Sequence, residues 1–82
     1  MTPISTSQAL RLLAEAFDEP VERIALSTAR DAIAGWDSMG ALSLMAELDE
    51  RFNIELTAEA SRSMVRISDC VDLLRRHGAL VD

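Results

Sequence analysis

The sequence predicts an all-α fold: a small four-helix bundle, with three longer helices, a short third helix and a long loop between helices I and II. Three observations predict it. Apolar residues recur at helical spacing in separate stretches. Residues suited to capping a helix, Ser5, Asp37, Thr57 and Ser68, stand at the heads of these stretches. No run alternates convincingly as a half-buried strand would. The 82 residues amount to one domain, 1–82, without repeats or low-complexity segments.

Helix I is read in "STSQALRLLAEAFDEP". Ser5 and Gln8 have capping-box spacing, in which each side chain satisfies the other's free amide. Ala9, Leu10, Leu13, Ala16 and Phe17 make one apolar face, and Pro20 limits the helix. Residues 18–36 form the long connection, with a single helical turn near Pro20–Ile24. Ile24, Leu26 and Ile33 are its apolar members, expected to tack it onto the core. A loop this long in so small a domain is uncommon and often functional.

Helix II starts at Asp37, a strong N-cap whose charge suits the positive end of the dipole, so Ser38 becomes the first helical residue. Ala41, Leu44, Leu48 and Phe52 share the core face, with Met45 at its edge. Met39, Leu42 and Ala46 lie away from that face among Ser43, Glu47, Asp49 and Glu50. Apolar spots among acids on an exposed face often mark a partner site, although single exposed apolar residues are ordinary. "FNIEL" ends the helix and turns the chain. Thr57 caps a short helix III running to about Ser63. Ser68 is expected to cap helix IV, whose Ile67, Cys70, Val71 and Leu74 form an inward stripe. Arg75, Arg76 and His77 suit its C-terminal dipole end, with Gly78 following as C′ residue.

Composition excludes several functions. Fourteen acidic against eight basic residues give a formal charge of −6, which repels phosphate backbones and anionic lipid headgroups and favours basic protein surfaces. Nucleic-acid binding is not expected. No apolar run approaches the roughly 20 residues of a membrane span. The N-terminus lacks the basic region and apolar run of a signal peptide, and a lone cysteine, Cys70, fits a reducing compartment, so a cytoplasmic domain is expected. Cys70 reads as a small buried apolar residue, His77 as a helix-end or surface residue. No ligand cluster has metal-site spacing.

The stretch "AGWDSMGALSLMAEL" sets a serine among glycines. A nucleophile elbow requires G-x-S-x-G on a strand-to-helix turn. Here Gly35 stands three residues before Ser38, no strand precedes it, and nothing brings the only histidine, His77, near as a base. No catalytic residue is assigned. Ser38 reads either as an ordinary helix-start serine or as a substrate, its hydroxyl outward and its surroundings favourable to a negative group such as a phosphate ester.

The run "DSMGALSLMAELDERFNIEL", residues 37–56, resembles the acyl carrier proteins, and the resemblance extends over about residues 5–78. It implies that Ser38, flanked by Asp37 and Met39, is esterified by 4′-phosphopantetheine. A phosphopantetheinyl transferase would deliver that arm from coenzyme A. A loading ligase or acyltransferase would charge its thiol, and a downstream synthase or transferase would take the acyl or aminoacyl cargo. It further implies that Met39, Leu42, Ala46, Glu47, Asp49 and Glu50 meet basic, apolar patches on these enzymes. The carrier performs no chemistry itself and is expected to be a monomer.

Departures from the family pattern stand at Gly40 and Ser43, often acidic in fatty-acid-synthesis carriers, and at Arg62 and Arg66 around helix III. Gly40 is expected to let a partner approach closely. "WDS" looks like the discrete carriers of specialised pathways, and "DSMG" followed by "AELDERF" is similar to D-alanyl carrier proteins, so the cargo could be an amino acid. Trp36 either packs the loop onto the bundle or offers a flat surface to the arm. The rival function is a non-enzymatic acidic adaptor that binds a basic partner through helix II, with Ser38 unmodified.

Overall fold

A computed structural model describes residues 2–82. Four α-helices follow in order: α1 (Thr6–Ala16), α2 (Ser38–Phe52), α3 (Ala58–Ser63) and α4 (Ile67–Arg76), with two 3₁₀ turns, Val21–Arg23 and Arg30–Ala32, in the first connection. The all-α bundle is therefore as the sequence predicts, down to the turn after Pro20. No local sequence pattern marks the second 3₁₀ turn.

Each helix start has a chemical cause. Ser5 Oγ accepts the Gln8 amide at 3.1 Å while Gln8 Oε1 accepts the Ser5 amide at 2.8 Å, closing the capping box of α1. Asp37 caps α2 by accepting the Gly40 amide at 3.0 Å, and Thr57 caps α3 by accepting the Ala60 amide at 3.1 Å. Helix α4 differs from expectation: Arg66, not Ser68, holds the N-cap position. The Ile67 and Ser68 amides donate to the loop carbonyls of Thr28 and Leu26, at 3.0 and 2.9 Å. With first-turn donors satisfied by tertiary partners, the helix begins before the serine that could have capped it.

The core unites the inward faces of all four helices with the loop. Phe17, Leu13, Leu44, Leu48, Ile67, Val71 and Leu74 are fully buried. In α1 the buried face is rotated from the one expected: Leu12 and Ala14 are buried, and Leu10 and Ala16 only half-buried. Ile24 and Ile33 fasten the loop as expected. Leu26 does not, being 43% exposed. Its segment is held by the backbone instead, through the Ser68 bond above, a bond from the Arg30 amide to Val65 O at 2.8 Å and an isolated bridge between Ala29 and Arg66. The loop between α1 and α2 is thus stitched to the α3–α4 connection.

Candidate functional site

The site is built around the start of α2. Asp37 is extended, its carboxylate engaged by the Gly40 amide, and the chain enters the helix at Ser38. Ser38 is exposed and sits among the free amides of the first turn, where the dipole favours negative charge. The geometry a modified serine needs is therefore present: an accessible hydroxyl on a rigid element.

What fixes this turn in place is the pair of glycines around it. A Cβ on Gly35 would collide with the backbone carbonyl of Phe17, and one on Gly40 with the carbonyl of Gly35 and, at 3.1 Å, with the Phe17 ring. Gly40 is buried. The expectation that it admits a partner is corrected: it admits the protein's own loop. Trp36 closes the same corner. It is 4% exposed and stacks on Phe17 with ring centroids 4.7 Å apart and planes 15° from parallel. Such a buried ring packs the loop onto α1, as the first of its two readings held, and offers no open face to an arm.

Beside Ser38 an open groove of about 570 Å³ runs between α2 and α3. Ala41, Leu42, Met45 and Ala58 give it an apolar lining, and Arg30, Arg62 and Ser61 a polar one. Arg30 was not singled out in the sequence. It lies mid-loop in no motif, and only the fold brings it here: Nη1 donates to Ser61 O at 2.9 Å and to Met64 O at 3.4 Å, and the guanidinium lies 5.0 Å from the Trp36 ring centroid.

The outer face of α2 carries the other predicted residues. Met39 and Leu42 are 73% and 59% exposed, Ala46, Asp49 and Glu50 are exposed, and Glu47 is half-buried. Glu47 makes only a loose contact, 3.9 Å, with Arg51. Neither Cys70 nor His77 joins the site. Cys70 is buried, and burial is the main reason its thiol is pushed up to about 12; the neighbouring Asp69 charge adds to it. No group of three or more His, Cys, Asp or Glu able to hold a metal occurs among the described residues. No described helix is long and apolar enough to cross a membrane.

Comparison with known proteins gives two results. No curated protein matches the chain. The profile of the phosphopantetheine attachment site family matches residues 7–61, a span that runs from α1 through the Asp37–Ser38 turn and α2 into α3. That span is more than half of the chain and contains the exposed serine, its cap and the glycine corner behind them, and on this ground the chain belongs to the phosphopantetheine attachment family, whose members are non-catalytic carriers of covalently bound 4′-phosphopantetheine.

Proposed function

We propose that Ser38 is the attachment residue, and that the protein carries an acyl or aminoacyl group as a thioester at the end of the arm. The observation that carries this reading is the exposure of Ser38 at the first position of α2 in a chain of this family. The residues fit the group. The serine hydroxyl is open to a transferase, and the first-turn amides and dipole suit a phosphodiester. When bound, the arm supplies a thiol on a long tether, which raises the cargo's local concentration at each partner enzyme. The chain's own residues hold the serine outward, cap the helix behind it and present α2.

Met39, Leu42, Ala46, Glu47, Asp49 and Glu50 form the face offered to the transferase, to a loading ligase or acyltransferase, and to a downstream synthase or transferase. Its acid-and-apolar character suits basic, apolar patches. The departures at Gly40, Ser43 and Arg62 support a specialised partner set rather than that of general fatty-acid synthesis. The D-alanyl likeness keeps an amino acid among the cargoes.

Co-expression with a broad-specificity phosphopantetheinyl transferase tests the assignment. Intact mass should rise by one phosphopantetheinyl group, and Ser38→Ala should abolish the gain. No gain with several transferases would overturn it. The adaptor reading predicts instead that Ser38→Ala leaves function intact while Glu47→Lys or Glu50→Lys abolishes partner binding.

A further inference from the structure

We propose that Arg30 and Arg62 form an anion site at the head of the α2–α3 groove, and that its occupant is the phosphodiester of the arm on Ser38. The inference rests on the carrier reading above.

Two grooves flank the Asp37–Ser38 turn. The one toward α3, about 570 Å³, is lined by Ser38 together with both arginines. The other, about 270 Å³, lies toward the end of α1. Asp18 and Asp37 line it with Met39 and Ser43, and no basic residue does. A phosphodiester on Ser38 Oγ is bound within a few bonds of both grooves, so local charge decides which way it leans. Asp37 borders both and repels it on either side. Asp18 adds to the repulsion on one side, and two guanidinium groups oppose it on the other.

Arg30 is already in place for this. Its Nη1 is committed to the carbonyls of Ser61 and Met64, and its plane lies over Trp36, so the half-buried side chain is held before any anion arrives. Its remaining N–H groups have no protein acceptor among the described residues. The two ion pairs seen there are Arg51 with Glu47 and Arg75 with Asp72, which leaves Arg30 and Arg62 without a carboxylate. The C-terminal dipole of α3 favours both cations, but neither it nor the carbonyl contacts of Arg30 neutralise them. A half-buried cation without a counter-ion is costly, and the group that arrives on Ser38 supplies one. Arg62, exposed in the last turn of α3, lines the same groove. The anchored phosphodiester then directs the arm over the apolar lining of Leu42, Met45 and Ala58.

The test converts the full chain from apo to holo form with a transferase and coenzyme A, with mass confirming complete conversion. Melting temperature, the ³¹P resonance of the phosphodiester and the emission of Trp36, the chain's one tryptophan, are then followed. Wild type is compared with Arg62→Gln, Arg30→Lys and a control of equal charge change, Arg11→Gln, whose residue lines a separate groove with Glu15 and Arg51. In wild type, conversion should raise the melting temperature by ~2–5 °C in dilute buffer and shift Trp36 emission, because an anion beside the fixed guanidinium changes the charge felt by the ring. Both effects should fade in ~0.5 M salt. Arg62→Gln should reduce the gain, and Arg30→Lys should lose the emission change along with the planar fork. Arg11→Gln should behave as wild type. Should Arg30→Lys fail to fold, Arg62→Gln against Arg11→Gln decides. Full conversion with melting, ³¹P and emission indifferent to salt and to both groove arginines would overturn the anion site and leave the carrier reading standing. Absence of any mass gain would instead overturn the carrier reading itself.

Discussion

At the scale of single residues, Gly40 shows how position overrides propensity. Inside a helix glycine is disfavoured against alanine by about 0.5–1 kcal/mol, so Gly40→Ala should stabilise α2 if nothing touched it. The added Cβ instead meets the Gly35 carbonyl, which is backbone, and the Phe17 ring, which is locked against Trp36. Neither can yield cheaply. Overpacking of this kind costs typically 1–3 kcal/mol, more than the propensity gain. Gly40→Ala is therefore expected to lower the urea unfolding midpoint. On the proposed attachment at Ser38, two residues away, it should also slow transfer of phosphopantetheine by shifting the turn that presents the hydroxyl. A variant as stable as wild type or more so would show that the glycine corner is looser than its contacts imply. The same corner explains why the sequence exposes Ser38 and Asp37 so readily but assigns Gly40 to a partner rather than to the protein's own loop. A cap is chemistry local to four residues, whereas the reason for Gly40 lies in Phe17 and Gly35, which only the folded chain sets against it.

At the scale of elements, what could be read and what could not divide along the same line. The apolar stripe of α2, the cap of α3 and the capping box of α1 are set by neighbours three and four residues apart, and all stand where the sequence puts them. The 3₁₀ turn at Arg30–Ala32, the outward Leu26 and the start of α4 depend on residues 26–30 pairing with 65–68, a contact across some forty positions that no local pattern encodes. The setting of Arg30 is hidden from local patterns for the same reason. The α4 start also carries a titration. The Asp69 carboxylate accepts the Val65 amide at 2.7 Å and the Arg66 amide at 3.0 Å. These bonds, Val65 first, hold its pKa below the ordinary 3.8, with the Arg66 charge helping and partial burial opposing. A carboxylate depressed in the folded state contributes stability fully above its unfolded pKa, and that contribution is lost as pH falls through the folded value. Wild type should thus exceed Asp69→Asn in denaturant stability at neutral pH, with the difference shrinking as pH drops below about 4. The largely solvated setting makes the effect modest. A difference independent of pH would mean that Asp69 acts by shape rather than by charge.

At the scale of the whole molecule, the charge of −6 is the property partners meet first. It is unevenly distributed: Arg30 and Arg62 lie on the α3 side of Ser38, while Glu47, Asp49 and Glu50 stand along α2. On the proposed reading, a basic enzyme surface approaching along α2 would be drawn by the acids and would then meet Met39 and Leu42, apolar contacts able to hold it once water is displaced. The two kinds of residue should separate kinetically. Glu50→Lys, exposed and in no ion pair among the described residues, is expected to leave stability within ~0.5 kcal/mol of wild type. It should lower the association rate with the phosphopantetheinyl transferase several-fold in dilute buffer, with the deficit vanishing as salt rises. Leu42→Ala should do the reverse: association nearly unchanged, dissociation faster, and little dependence on salt. Surface plasmon resonance across a salt series, using the transferase that modifies the chain, measures both rates. If charge reversal at residue 50 left association unaltered at low salt, the acids of α2 would be solubilising only, and recognition would have to lie on another face.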